Sequence, residues 1–151
     1  MEIPRAVVAL LFFVLPNGHT IAAEPQKLAI AVVVGVGSPI RQVNVDTLRE
    51  LYLRRQRLWA TGERAIPVNL PADDPLRTAF SKRVLGRLPG DLEAYWLRLY
   101  REGVQPPLVL KTSQAVCAYV AVEPAAIGYV HPDAVDGKSC RTLLVLSPQG
   151  D

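Results

Sequence analysis

The chain has 151 residues, half of them apolar by count, with both charge signs interspersed and a formal net charge of +3. This length suits one domain and is too short for two comfortable ones, and the composition excludes a disordered or low-complexity chain. The basic excess is mild, so it permits an anionic partner without requiring one.

Arg5 precedes an apolar run of ten residues, positions 6–15, which Pro16-Asn17-Gly18 breaks before the small residues Ala22 and Ala23. Such a run is too short for a bilayer, which takes about 20 residues. The pattern predicts a secretory signal peptide over residues 1–23 and a mature domain over 24–151; an uncleaved anchor or a buried helix is the alternative. No later stretch is long and apolar enough to span a membrane. The expected location is therefore periplasmic or secreted. In an oxidising compartment Cys117 and Cys140 either form a bridge, closing a loop of about 23 residues, or stay two separate thiols. Both readings stay open, because spacing alone does not bring two Cα atoms together.

Residues 27–35 (KLAIAVVVG) read as a strand buried on both faces. Gly35-Val36-Gly37-Ser38-Pro39 ends it as a plain turn; cradling a phosphate is the weaker reading, since no third glycine follows. Asn44 or Asp46 caps the next helix, in which Leu48, Leu51, Tyr52 and Leu58 recur at roughly helical spacing up to the break at residues 60–63. Its arginines, Arg49, Arg54, Arg55 and Arg57, read as a solvated face whose stems cover apolar surface, with a basic patch for an anionic partner as the alternative. Residues 65–70 form a short apolar strand. Asp73 or Asp74 caps a helix that has Pro75 at its first position and runs to about Leu85. After the stop at residues 86–90, Asp91 caps a helix placing Leu92, Tyr95, Trp96, Leu99 and Tyr100 on one face, expected to be core, and Gly103 terminates it. Residues 108–111 are extended. Thr112 or Ser113 caps a helix through Val122, and residues 125–130 and 141–146 are strands. The alternation predicts an α/β fold: a mixed sheet flanked by helices.

Catalytic chemistry is sparse. His19 falls in the signal segment, leaving His131, beside a proline, as the one mature histidine. No serine sits in a Gly-x-Ser-x-Gly elbow, and no His, Cys and acid cluster has metal-ligand spacing. The expectation is a non-enzyme with no cofactor and no metal. Export and the lack of interleaved aromatics exclude nucleic acid as a partner.

Several segments stand in a telling order: residues 48–59 (LRELYLRRQRLW), Gly62, Ile66-Pro67-Val68, Arg77-Thr78-Ala79-Phe80, Val84-Leu85-Gly86, Tyr95-Trp96, Gly103, Pro106-Pro107 and Ala126-Ile127-Gly128-Tyr129-Val130. Together they resemble the short exported relatives of the phosphate-binding component of ABC transporters. The likeness covers about residues 28–146 and implies a single lobe of the periplasmic-binding-protein fold, the second in chain order. In full-length relatives the loop before the Phe80 helix holds an arginine and then Ser-Gly-Thr. Here Leu70 falls near the arginine position, and Asp74, Pro75 and Leu76 take the other three. The resemblance thus implies an exported, solute-binding-like protein with weak anion binding in the loop over residues 69–78. Asn69, Asp74, Arg77 and Thr78 are the site residues, with Arg77 and Thr78 donating. The alternative is an envelope interaction module that has lost its ligand and binds a protein partner or a second copy of itself.

Overall fold

The computed structural model describes residues 28–148, so the expected signal segment lies outside the described residues. Five strands form one mixed sheet in the order β3-β2-β4-β1-β5: β1 (Ile30–Gly35), β2 (Ile66–Asn69), β3 (Leu108–Val109), β4 (Ala126–Val130) and β5 (Cys140–Leu146). β2 pairs parallel with β3 and β4, while β1 pairs antiparallel with both β4 and β5. All six residues of β1 are buried, as a strand covered on both faces requires.

Helices cover both faces. α4 (Ser113–Val122) lies across β4, β1 and β5. It comes so close that a Cβ on Gly128 would strike the Val116 side chain and one on Gly35 would strike the carbonyl oxygen of Val120. Glycine therefore stands where the helix meets the strands. Side chains alternate along a strand, so Tyr129 faces the other way. There it stacks on Phe80 of α2 (Pro75–Phe80), with ring centroids 3.9 Å apart, and meets Tyr52 of α1 (Val45–Tyr52) at 5.9 Å. β2 carries Pro67 in an interior strand, which costs the ladder one N–H donor. The Tyr52 hydroxyl lies 2.9 Å from the Val68 carbonyl and 3.3 Å from that of Ile127, and supplies a donor between the two strands. Cys117 of α4 is bonded to Cys140 at the start of β5, with a Cα–Cα distance of 5.1 Å.

The structure departs from expectation in three places. α1 ends at Tyr52, well short of Trp59. Arg54 takes a left-handed conformation, φ 59°, and its guanidinium holds the Ala65 carbonyl. Trp59 is anchored by its indole N–H to the Ala125 carbonyl, 2.8 Å away, which draws the chain off the helical path. Leu58, placed on the apolar face by spacing, is consequently 52% exposed. Asp91 does not cap a helix by its first amides: its carboxylate accepts from Leu88 N–H, and a 3₁₀ turn (Gly90–Leu92) leads into α3 (Glu93–Arg101). The face expected to be core is core only in part: Leu92 is buried, Tyr95 and Trp96 pack against the core, and Leu99 is half-buried. Tyr100 departs from it at 60% exposed, and Leu97, outside that face, is 57% exposed. α3 packs at the margin of the domain, where the Tyr95 hydroxyl donates to the Leu53 carbonyl. Beyond Phe80, α2 continues as a π-helical turn (Ser81–Leu85), so the helical path extends to Leu85 as expected.

Two outcomes follow from α4. Gly35→Ala should lower the unfolding free energy by about 1–3 kcal/mol, because the obstructing atom is backbone and cannot swing aside. A urea midpoint equal to the parent's would refute the close approach. Cys117→Ala combined with Cys140→Ala should cost about 3 kcal/mol, the loop-closure value for this span. The same denaturation series measures it.

Candidate functional site

In an open α/β sheet, ligands sit beyond the carboxyl ends of parallel strands. Here those ends are Asn69 of β2, Val109 of β3 and Val130 of β4. Three segments leave them: residues 70–74 towards α2, 110–112 towards α4, and 131–133.

The first of these segments is closed. Asp74 caps α2 with its carboxylate 2.7 Å from Leu76 N–H, and Pro75 has no N–H to offer. Arg77 points inward and is 7% exposed. Its guanidinium donates to the Leu70 carbonyl at 3.1 Å and to the Ser81 hydroxyl at 3.3 Å, and it also reaches the Tyr129 hydroxyl. That hydroxyl donates to Asn69 Oδ1 at 3.1 Å and accepts from Leu70 N–H at 3.3 Å. Asn69, Arg77 and Tyr129 thus form a buried network that holds the loop from below. Burial pushes the Tyr129 phenol well above its ordinary range, and the Arg77 charge offsets this only in part. Burial and the neighbouring Tyr129 raise Tyr52 in the same way.

The second segment is open. Thr112 caps α4 through its hydroxyl to Ala115 N–H, and helix geometry leaves the amides of Ser113 and Gln114 without intrahelical partners. The positive end of the α4 dipole faces the rim. A concavity of about 360 Å³ is lined here by Asp74, Lys111, Thr112, Ser113, Gln114, His131 and Asp133. His131 Nδ1 lies 3.4 Å from Asp133 Oδ2, both exposed. The Ser113 hydroxyl accepts from the backbone N–H of His131, and among the described residues no hydrogen bond joins the imidazole to a hydroxyl. The arrangement offers donors and two carboxylates to a polar ligand; it does not pair a nucleophile with a base. Among the described residues no group of three or more His, Cys, Asp or Glu side chains is placed to hold a metal ion.

Of the four residues expected at the site, Asp74 alone lines this concavity. Asn69 and Arg77 lie beneath it, and Thr78 is half-buried one turn into α2. Lys111, Ser113 and His131 were not singled out by spacing. Their shared signal is positional: each comes within four residues of the end of a parallel strand.

No family model matches the chain, and no curated protein matches it. Solved structures do. One is a chain described as a phosphate ABC transporter substrate-binding protein, with bound phosphate, from Clostridium perfringens: TM-score 0.60, 17% identity, 76% of this chain and 44% of that one. Another is an ABC-type phosphate transport receptor from Vibrio cholerae: TM-score 0.59, 17% identity, 76% of this chain and 45% of that one. At this identity the likeness is one of fold, that of a periplasmic-binding-protein-like α/β unit. The chain spans less than half the length of either protein.

The network makes alkaline pH a probe. Tyr52 and Tyr129 should stay protonated beyond about pH 10, where a free tyrosine ionises. Unfolded, both would release their protons there. The native state therefore binds more protons, and stability should fall as pH rises beyond about 10. Ultraviolet phenolate titration with parallel unfolding curves measures both. Ionisation of Tyr52 and Tyr129 near pH 10 in the folded protein, with flat stability, would contradict the buried network.

Proposed function

We propose that this chain is an exported, non-catalytic, solute-binding-like protein that takes a small anion weakly at the strand-end rim. The observation that carries this reading is the contrast between two adjacent helix starts. At the α2 start Asp74 takes the Leu76 amide and Pro75 has none to offer, whereas α4 presents the Ser113 and Gln114 amides beside Lys111. In the proposal Asn69 and Arg77 shape the loop from below, Thr78 braces the start of α2, and Asp74 faces the ligand. Lys111, Ser113 and the α4 amides donate.

Affinity is modest for a physical reason. Asp74 and Asp133 put two carboxylates on the same rim, where they repel a fully ionised anion. They accept hydrogen bonds and donate none, so an anion that keeps a proton is favoured. Dihydrogen phosphate has such protons and sulfate does not.

A second reading, an envelope interaction module without a ligand, rests on a different observation. Leu97 and Tyr100 leave an apolar strip of α3 exposed, which a protein partner or a second copy would cover. Its own check is size-exclusion with light scattering and co-purification; a monomer without companions counts against it.

Isothermal titration of residues 24–151 with phosphate and with sulfate tests the first reading. Phosphate should bind in the millimolar range, more tightly than sulfate, and Lys111→Gln or Ser113→Ala should weaken it several-fold. No heat at millimolar phosphate overturns the proposal.

A further inference from the structure

We propose a second anion site, built on other elements: an arginine cup that takes the phosphate group of a phosphorylated organic ligand. Arg49 of α1, Arg55 of the turn after it, Arg87 beyond the π turn and Arg98 of α3 line one concavity of about 470 Å³, together with Tyr95 and Asp91. These guanidinium groups come from four separate segments of chain, so helical spacing does not account for their meeting. Like charges gathered around one hollow repel each other unless something negative lies between them.

The charges are not all answered by the protein. Arg49 pairs with Asp46 at 2.9 Å and Arg55 with Glu50 at 3.3 Å, both near the surface. The Asp91 carboxylate is occupied with Leu88 N–H at 3.1 Å. Among the described residues Arg87 and Arg98 have no carboxylate within ion-pair distance. Two of the four are also held in place. Arg49 Nε donates to the Val84 carbonyl at 2.8 Å, and Arg98 lies over the Tyr95 ring, 5.5 Å from its centroid. Tyr95 in turn is fixed by its 2.6 Å hydrogen bond to the Leu53 carbonyl. The cup is thus partly preorganised for a planar fork to meet a tetrahedral oxyanion.

Two unanswered arginines match a dianion, which a phosphomonoester or diphosphate supplies at neutral pH. The hollow is roomier than a bare phosphate needs, and the Tyr95 ring gives an apolar wall for whatever the phosphate is attached to. That ligand is either a soluble phosphorylated molecule or a phosphorylated lipid headgroup. The chemistry at the cup is the same in both.

The test uses residues 24–151 and two probes: inorganic pyrophosphate, and phosphatidylcholine vesicles with and without phosphatidic acid. Pyrophosphate should move the NMR resonances of the Tyr95 ring and of the Arg87 and Arg98 Nε–H groups, and salt should weaken the binding. Arg87→Gln combined with Arg98→Gln should weaken it at least tenfold. Arg101→Gln, an exposed arginine of α3 outside the cup, should leave it unchanged. Binding to pyrophosphate without vesicles supports the site with a soluble ligand; added binding that requires phosphatidic acid supports it with a headgroup. Shifts confined to Lys111 and Ser113 would place the anion at the rim instead and overturn the cup. Equal loss in Arg101→Gln would show diffuse surface attraction and overturn it as well. So would silence with both probes.

Discussion

The Arg77 guanidinium beneath the strand-end loop is the interaction on which the reading of this molecule turns. It is buried, it meets no carboxylate within ion-pair distance among the described residues, and it is satisfied by the Leu70 carbonyl, Ser81 and Tyr129. A buried charge without a counter-ion persists only where its donors are matched. Here the matching partners are loop backbone and a tyrosine stacked on Phe80. The arginine therefore cannot turn outward to a ligand without giving up its bonds to the Leu70 carbonyl and the Ser81 hydroxyl. The loop is rigid for the same reason that it is a poor oxyanion grip.

In the proposed reading that constraint leaves the donors to α4, whose position is set on the opposite face of the sheet. Gly35 and Gly128 let the helix sit directly on β1 and β4, and the Cys117–Cys140 bond ties it to β5. Its N-terminus is thereby held at the rim with Thr112 as cap. A helix standing a side chain's width further out would carry its free amides away from β2 and β4. Two glycines in the strands thus determine where the amides lie.

Much of the fold was legible because it follows local periodicity. The apolar run of β1, the Asp74-Pro75 helix start, the Thr112 cap and the strand at Ala126–Val130 each carry their own signal. What was not legible depends on tertiary contacts. The end of α1 is decided by Trp59 reaching Ala125, 66 residues away in the chain, and no helix propensity encodes that. The stripe of α3 has core-like spacing yet lies at the edge, because spacing defines a face and not what covers it. Arg77 looked like a donor because it stands at a helix start; that it faces Tyr129 depends on β4 lying beside β2. Lys111 is unremarkable in type, Ser113 reads as a cap and His131 as a lone histidine beside a proline, and only the topology of the parallel strands brings the three together.

The same geometry bears on how selective such a rim can be. Tight capture of an oxyanion needs donors that converge on every oxygen and exclude water. A shallow concavity open to solvent, lined by donors and carboxylates together, cannot supply that. It can still discriminate, because a carboxylate tolerates an oxygen that carries a proton and rejects one that does not. Asp74 is held by its own capping bond to Leu76 N–H. In the proposed reading, the residue that closes the α2 start to anions is also the one that reads their protonation.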